Sequence, residues 1–256
     1  MLPQAAADHH QAQTRLANTT SLAAHRVWAR MGDDFDASWT QIERSLVALV
    51  VAGQLAAANL AEPYMAAVLA ETAQPDRPAA LVRSRGFAGT AADGRPLAGL
   101  LQGAVFEAKT ARTQMSTIDA LAQGGRWLDM VTQTTIGDIA RSAVTVGITV
   151  RPDIDGYIRS TGGKACTRCL VLSGKFFRYN TGFARHPRCH CIHTPTTRHH
   201  AGDFVEATPH IGSADLSNLE LAATSTSGRR MPEQIVASTD DRAAAIAMLR
   251  TAGFAA

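Results

Sequence analysis

The first 150 residues are patterned as helices. From Asp8 to about Arg30 the apolar positions Leu16, Leu22, Ala23, Val27 and Met31 recur at mixed spacing, a loose fit to an amphipathic helix that Gly32, Asp33 and Asp34 end. Asp36 or Ser38 then caps a second helix, where Ile42, Leu46, Leu49, Val50, Gly53 and Ala57 share one face. Many of its remaining positions are apolar too, which predicts burial on more than one side. Pro63 suits the first turn of a third helix running through Met65, Val68 and Leu69. Residues 75–96 carry no regular period, being broken by Pro75, Pro78, Gly86, Gly89, Gly94 and Pro96. Helical signals return over Leu97–Arg112. A long helix is predicted from about Arg126 to Val150, with Leu128, Val131, Thr135, Ile139, Ser142 and Val146 on one stripe and Pro152 closing it. These stripes predict helix-on-helix packing.

The pattern changes at Pro152. Tyr157–Arg159 and Lys175–Tyr179 read as short strands bounded by Gly162, Gly163, Gly174 and Gly182, and a third extended piece is predicted through Cys189–Ile192. Beyond His200 the chain turns Ser/Thr/Gly-rich, above all over Ala222–Arg230, before one last amphipathic helix at Asp240–Thr251. The fold class expected is α+β. An alanine-rich helical domain (1–152) precedes a small β-rich four-cysteine module (153–204) and a variable tail (205–256).

Composition narrows this picture. With 46% hydrophobic and 18% charged residues in 256, wholesale disorder is excluded. Four cysteines, all between Cys166 and Cys191, are too sparse for a disulfide scaffold. The most apolar run, Leu46–Gly53, is cut by Gln54 and then Asn59, short of the roughly 20 apolar residues a membrane span needs. Met1–Ala7 has neither the basic start nor the apolar core of a secretory signal. A soluble, unsecreted protein is expected.

The cysteines carry the strongest chemical signal: Cys166-x-x-Cys169, nineteen residues, then Cys189-x-Cys191. Zinc takes four ligands in a tetrahedron, and a Cys-x-x-Cys on a tight turn sets two thiolates at the right spacing. Residues two apart on an extended segment face the same way, so Cys189 and Cys191 can offer both sulfurs to one centre. Four thiolates would close the coordination sphere, which makes the metal structural. His186, His190 or His193 could replace one thiolate. His190 ranks last, because it faces away if its neighbours face in. Paired disulfides, a redox Cys-x-x-Cys and four free thiols are the competing readings.

Charge adds a second signal. Between Tyr157 and His200 lie Arg159, Lys164, Arg168, Lys175, Arg178, Arg185, Arg188 and Arg198 with no Asp or Glu, leaving the rest of this +3 chain net acidic. Phe176, Phe177, Tyr179 and Phe183 interleave with them. Basic residues among aromatics suit a nucleic-acid backbone or an acidic protein surface, and the aromatics also suit the core of a small module. Arg168, Arg178, Arg185 and Arg188 are the candidate docking face. No catalytic constellation stands out: His-x-Glu with Pro-Cys-x-x-Cys, His-Glu-x-x-His and Gly-x-Ser-x-Gly are all missing from the sequence. Asp129, Asp138, His199 and His200 fit solvated-face or linker roles better than catalytic ones.

The string Cys166-Thr-Arg-Cys169-Leu-Val-Leu-Ser-Gly174-Lys-Phe-Phe-Arg-Tyr-Asn180-Thr-Gly182-Phe183-Ala-Arg-His186-Pro187-Arg188-Cys189-His-Cys191 resembles the MuF-like minor head (minor capsid) proteins of actinobacterial tailed phages. The alanine-rich helical half, Asp93-Gly94-Arg95-Pro96-Leu97 and the entry Arg151-Pro152 to Gly156-Tyr157 match the same layout, so the resemblance covers roughly residues 8–205. Where that family usually has an Asp between the last two cysteines, this chain has His190. The resemblance implies a non-enzymatic protein of head morphogenesis, portal-associated inside the virion and made in the bacterial host cytoplasm, from a phage or a prophage. Its implied partners are portal or capsid proteins and packaged DNA, with no membrane and no small-molecule substrate. The alternative is a zinc-containing nucleic-acid-binding protein.

Overall fold

The computed structural model describes residues 2–161, 167–182, 186–204 and 228–256, without the side chains at 167, 168 and 204. It is α+β, a mostly helical N-terminal body followed by a small three-stranded sheet.

Helix α1 (Gln4–Trp28) does not bury the large apolar residues that the sequence pattern singles out. Its inner face is Ala6, His9, Gln13, Ala17, Thr20, Ser21, Ala24 and Trp28, a stripe of mainly small and polar side chains, while Leu22 is 57% exposed. Small residues let the backbones close in. A Cβ on Gly53 of helix α2 (Phe35–Asn59) would sit only 2.9 Å from the Thr20 side chain. The polar members of the stripe have partners: Ser21 Oγ donates to Asp129, and Trp28 Nε1 donates to the Leu121 carbonyl at 3.0 Å.

The cap of α2 is Asp34, whose side chain accepts from the Ala37 amide at 3.0 Å, rather than Asp36 or Ser38. Leu60 alone separates α2 from α3 (Ala61–Glu71), which carries Pro63 in its first turn as expected. The sequence expectation about length is corrected here. Over Phe35–Glu71 the chain is long and apolar enough, by length and composition alone, to cross a membrane, because Gln54 and Asn59 do not interrupt the helix. In this fold α2 packs on α1 and α3 and on the two helices that follow. Gln54 is wholly buried, and it clips the irregular 75–96 segment to α2. Its Nε2 donates to the Thr90 carbonyl at 2.9 Å and its Oε1 accepts from the Gly89 amide at 2.8 Å.

Helix α4 (Leu97–Arg112) has the predicted bounds, whereas α5 (Thr117–Thr149) begins about nine residues before its predicted start. Ser116 caps α5, accepting from the Asp119 amide at 3.2 Å. At 33 residues α5 is about 50 Å long and serves as the spine of the molecule. The predicted stripe from Leu128 to Val146 is buried, and from Ile139 to Thr149 every residue is buried, so the C-terminal third is enclosed on all sides. Just beyond it, the buried Arg151 bonds to Glu62 at 2.8 Å, Asp76 at 2.6 Å and the Gly147 carbonyl at 3.0 Å.

The sheet has the order β2-β1-β3, antiparallel throughout, with β1 (Gly156–Ser160) between β2 (Phe176–Arg178) and β3 (Ile192–Thr196). The third extended piece therefore forms its ladder three residues later than predicted, starting at Ile192 where the expected strand ends. Tyr157 stacks between Phe177 and His193, with ring centroids 5.5 and 3.9 Å away. Both β1 and β3 are buried along their length. Tyr64 of α3 donates to the His193 carbonyl at 3.0 Å, which fastens the sheet to the helical body. Neither α6 (Thr167–Leu172), within the module, nor α7 (Pro232–Val236) is expected from the sequence, whereas α8 (Arg242–Thr251) is the last helix expected. Residues 228–256, read from sequence as part of a variable tail, contribute Met231, Ile235, Val236, Ala245, Leu249 and Phe254 to the same core as α1–α5. Arg242 locks this segment in place by donating to the carbonyls of Arg151, Pro152 and Ile154 and lying 4.0 Å over the Tyr179 ring.

Candidate metal centre

Three cysteines meet beside the sheet, delivered by two local structures. Cys169 sits on α6, so the second half of the Cys-x-x-Cys is helical and not on the tight turn that the spacing suggested. Gly174, with φ +75, turns the chain from α6 back into β2, and its amide donates to the Arg159 carbonyl at 2.9 Å. Cys189 and Cys191 lie on the extended approach to β3. Cys189 and Cys191 are buried and His190 between them is exposed, the alternation expected of an extended segment. Arg188 precedes them in the left-handed region (φ 59), held there by its amide on Thr134 Oγ1 at 2.9 Å and its guanidinium on Asp129.

The sulfurs form a compact buried cluster. Cys169 Sγ is 3.7 Å from Cys189 Sγ, and Cys189 Sγ is 2.9 Å from Cys191 Sγ. The three Sγ atoms all lie within 4.8 Å of one another, a group able to hold a metal ion. His186 Nε2 lies 3.3 Å from Cys169 Sγ, outside the group whose ligand atoms are all within 4.8 Å of one another. The Cys189 thiol is held well below the usual thiol range, first by hydrogen bonds from Cys169, then from Cys191, against the opposing effect of burial and with Arg141 adding to the depression. A depressed thiol is the form that binds metal, since the thiolate is the ligand.

Two arginines complete the site, and sequence reasoning assigned neither to it. Arg159, fully buried on β1, places Nη2 3.2 Å from Cys169 Sγ and 3.8 Å from Cys189 Sγ. Arg141 reaches from α5 to donate to the carbonyls of Cys189 and Cys191 at 2.8 and 2.9 Å while pairing with Asp138. A signal for Arg141 was present. It is the lone charged side chain in the stretch Ile139–Thr149 of α5, which implies a fixed partner. Arg159 looked like one more member of the basic segment, and only its tertiary position separates it from the surface.

The other predicted residues divide. Cys166, Arg185 and the side chain of Arg168 lie outside the described residues. Arg178 is exposed. Arg188 pairs with Asp129, so part of the acid-free basic segment is neutralised by an acid from α5. Arg198 lies 5.2 Å over the Phe176 ring. His193 is buried away from the sulfurs, with Nδ1 3.3 Å from Thr145 Oγ1. Asp129 also accepts from Ser21 and Gln133, and burial, which would raise its carboxyl, is outweighed by these bonds and by Arg188 and His25. Asp129 and Asp138 thus hold structure together, while His200 bonds to Thr197 at 2.8 Å.

No protein-family model, curated protein or solved structure matches this chain. Its own residues describe a mostly helical protein with a module able to hold a metal ion through three cysteines.

Proposed function

We propose that the chain is a non-enzymatic minor head protein of a tailed phage, of the MuF-like kind, acting in head morphogenesis near the portal. Its cysteine module would be stapled by one structural zinc ion. The observation that carries this reading is the convergence of Cys169, Cys189 and Cys191, because the segment that supplies them is the one whose residues carry the family resemblance. Thiolate ligands in a buried pocket suit zinc over magnesium or calcium, which prefer oxygen. Closure of the fourth position by a further protein ligand would suit a structural ion, since a catalytic one needs an open position.

The partner expected is a portal or capsid protein, with packaged DNA as a further contact. The alternative, a zinc-containing nucleic-acid-binding protein, loses support from the pairing of the docking-face Arg188 with Asp129 and from the burial of Arg159, which take two cations out of the exposed basic segment. The test is mass spectrometry of purified phage particles and immature heads from the strain that encodes the chain, with pull-down against the portal protein. A few copies per head and portal binding are expected. Absence from both particles, or salt-sensitive DNA binding with no portal binding, would overturn the assignment.

A further inference from the structure

We propose that a metal held by Cys169, Cys189 and Cys191 takes its fourth ligand from His186 Nε2, and that Arg159 is the outer partner that makes the centre electrically neutral. This deepens the metal-module reading above and rests on it.

The tautomer of His186 is already set. Its Nδ1 lies 2.8 Å from the Pro187 carbonyl oxygen, which can only accept, so the ring proton sits on Nδ1. Nε2 is then left with its lone pair, and it is this atom that lies 3.3 Å from Cys169 Sγ. Histidine ligands are commonly fixed in this way, with the second ring nitrogen donating to a carbonyl. Cys169 is the sulfur that Nε2 stands beside; Nε2 lies more than 4.8 Å from at least one of the other two, so the ring must swing inward as the ion enters. Zinc–sulfur bonds of about 2.3 Å and zinc–nitrogen bonds of about 2.0 Å put tetrahedral neighbours roughly 3.8 Å (S to S) and 3.5 Å (S to N) apart. The Cys169–Cys189 separation of 3.7 Å meets this, and the 2.9 Å between Cys189 and Cys191 must open by about 0.9 Å when an ion enters. His190 is exposed on the opposite side of the extended segment, and His193 is stacked on Tyr157, so neither competes for the position.

Charge points the same way. Three thiolates and a divalent ion leave one negative charge, which the guanidinium of Arg159 at 3.2 Å from Cys169 Sγ cancels. Arg141 bonds the carbonyls of Cys189 and Cys191 and pairs with Asp138, so most of its charge is already offset. A fourth thiolate would leave a net negative charge among Cys169, Cys189, Cys191 and Arg159, all 4% exposed or less. An uncompensated buried charge is costly.

The test is zinc-edge X-ray absorption on the full chain purified with zinc under reducing conditions, together with the absorption spectrum of its cobalt(II) form. Three sulfur scatterers and one nitrogen are expected in the unaltered protein, a measurement that needs no variant to fold. Cys166→Ser should keep that count and one metal per chain, and His186→Ala should lose the nitrogen and at least tenfold in zinc affinity. Four sulfurs, or a His186→Ala protein with unchanged affinity and spectrum, would overturn the ligand assignment while leaving the metal module standing. A chain that binds no metal at all would overturn both. For Arg159, Arg159→Met should move the sulfur-to-cobalt charge-transfer band to lower energy, because the thiolate loses a donor, and Arg159→Lys should restore it. An unmoved band in Arg159→Met would remove Arg159 from the proposal.

Discussion

Arg141 Nη1 donates to the carbonyl oxygen of Cys189 at 2.8 Å, so the spine helix grips the cysteine segment by its backbone as well as by the fit of its side chains. The same nitrogen bonds the Cys191 carbonyl at 2.9 Å, and Nη2 pairs with Asp138. The position of two of the sulfurs is therefore imposed from α5, 48 residues away in sequence.

Arg141→Met should cost about 2–4 kcal/mol, since it strands two buried carbonyls and the Asp138 carboxylate. Urea denaturation should show a lower midpoint at unchanged slope. Zinc affinity, read by competition with a chromophoric chelator, should fall with it. An unchanged midpoint would mean that the carbonyls find other donors.

Stripping metal with a strong chelator should loosen the module and spare the helices. The three sulfurs form a cluster of their own, apart from the main core. Hydrogen exchange is expected to quicken over β2 and around Cys189 and Cys191 while α2 and α5 stay protected. Loss of the helical circular dichroism on chelation would contradict this separation.

His9 sets an acid limit on stability. Burial, and then the charge of His10, push its pKa down to about 3 from 6.5, and its ring stacks on Tyr64 with centroids 3.8 Å apart. The unfolded chain binds a proton at this residue below about pH 6.5 and the folded chain does not until about pH 3, so protons favour unfolding across that window. Stability should fall by up to about 1.4 kcal/mol per pH unit from this one group as pH drops through 6 to 4, and be unaffected by it above 7. Denaturation midpoints across pH for the unaltered chain and for His9→Phe check this. The variant should show a shallower acid slope, and parallel slopes would count against His9.

Gly124 marks the crossing of α1, α4 and α5. A Cβ there would sit 2.6 Å from the Ala104 carbonyl oxygen and 2.7 Å from the Trp28 ring. Gly124→Ala should destabilise by about 1–3 kcal/mol despite the better helix propensity of alanine, because backbone must move. A thermal midpoint at or above that of the unaltered protein would show that the crossing has room.

Arg151→Met should cost about 3 kcal/mol by leaving Glu62 and Asp76 without their shared cation. Both carboxylates are partly exposed, which keeps the loss at the low end of the range for buried pairs. In a double-mutant cycle the total loss of the Arg151→Met, Glu62→Gln double variant should be well below the sum of the two single effects, and an additive result would show that the pair is not coupled.

The sequence by itself determined the elements whose burial is written in large apolar residues or in strict alternation. Leu97–Arg112 and the Leu128–Val146 stripe of α5 could be read because hydropathy with a helical period marks the buried side. The inward pairing of Cys189 and Cys191 around an outward His190 follows from the two-residue period of extended chain. Tertiary structure alone decided what hydropathy does not encode. The inner face of α1 is mainly small and hydrogen-bonded residues, Gln54 is a buried clip, Arg159 is a counter-charge to sulfur, and Asp129 neutralises an arginine 59 residues away. Each depends on a partner remote in the chain. Whether a polar or charged side chain can be buried is settled by what faces it after folding, and no local pattern of residues carries that information.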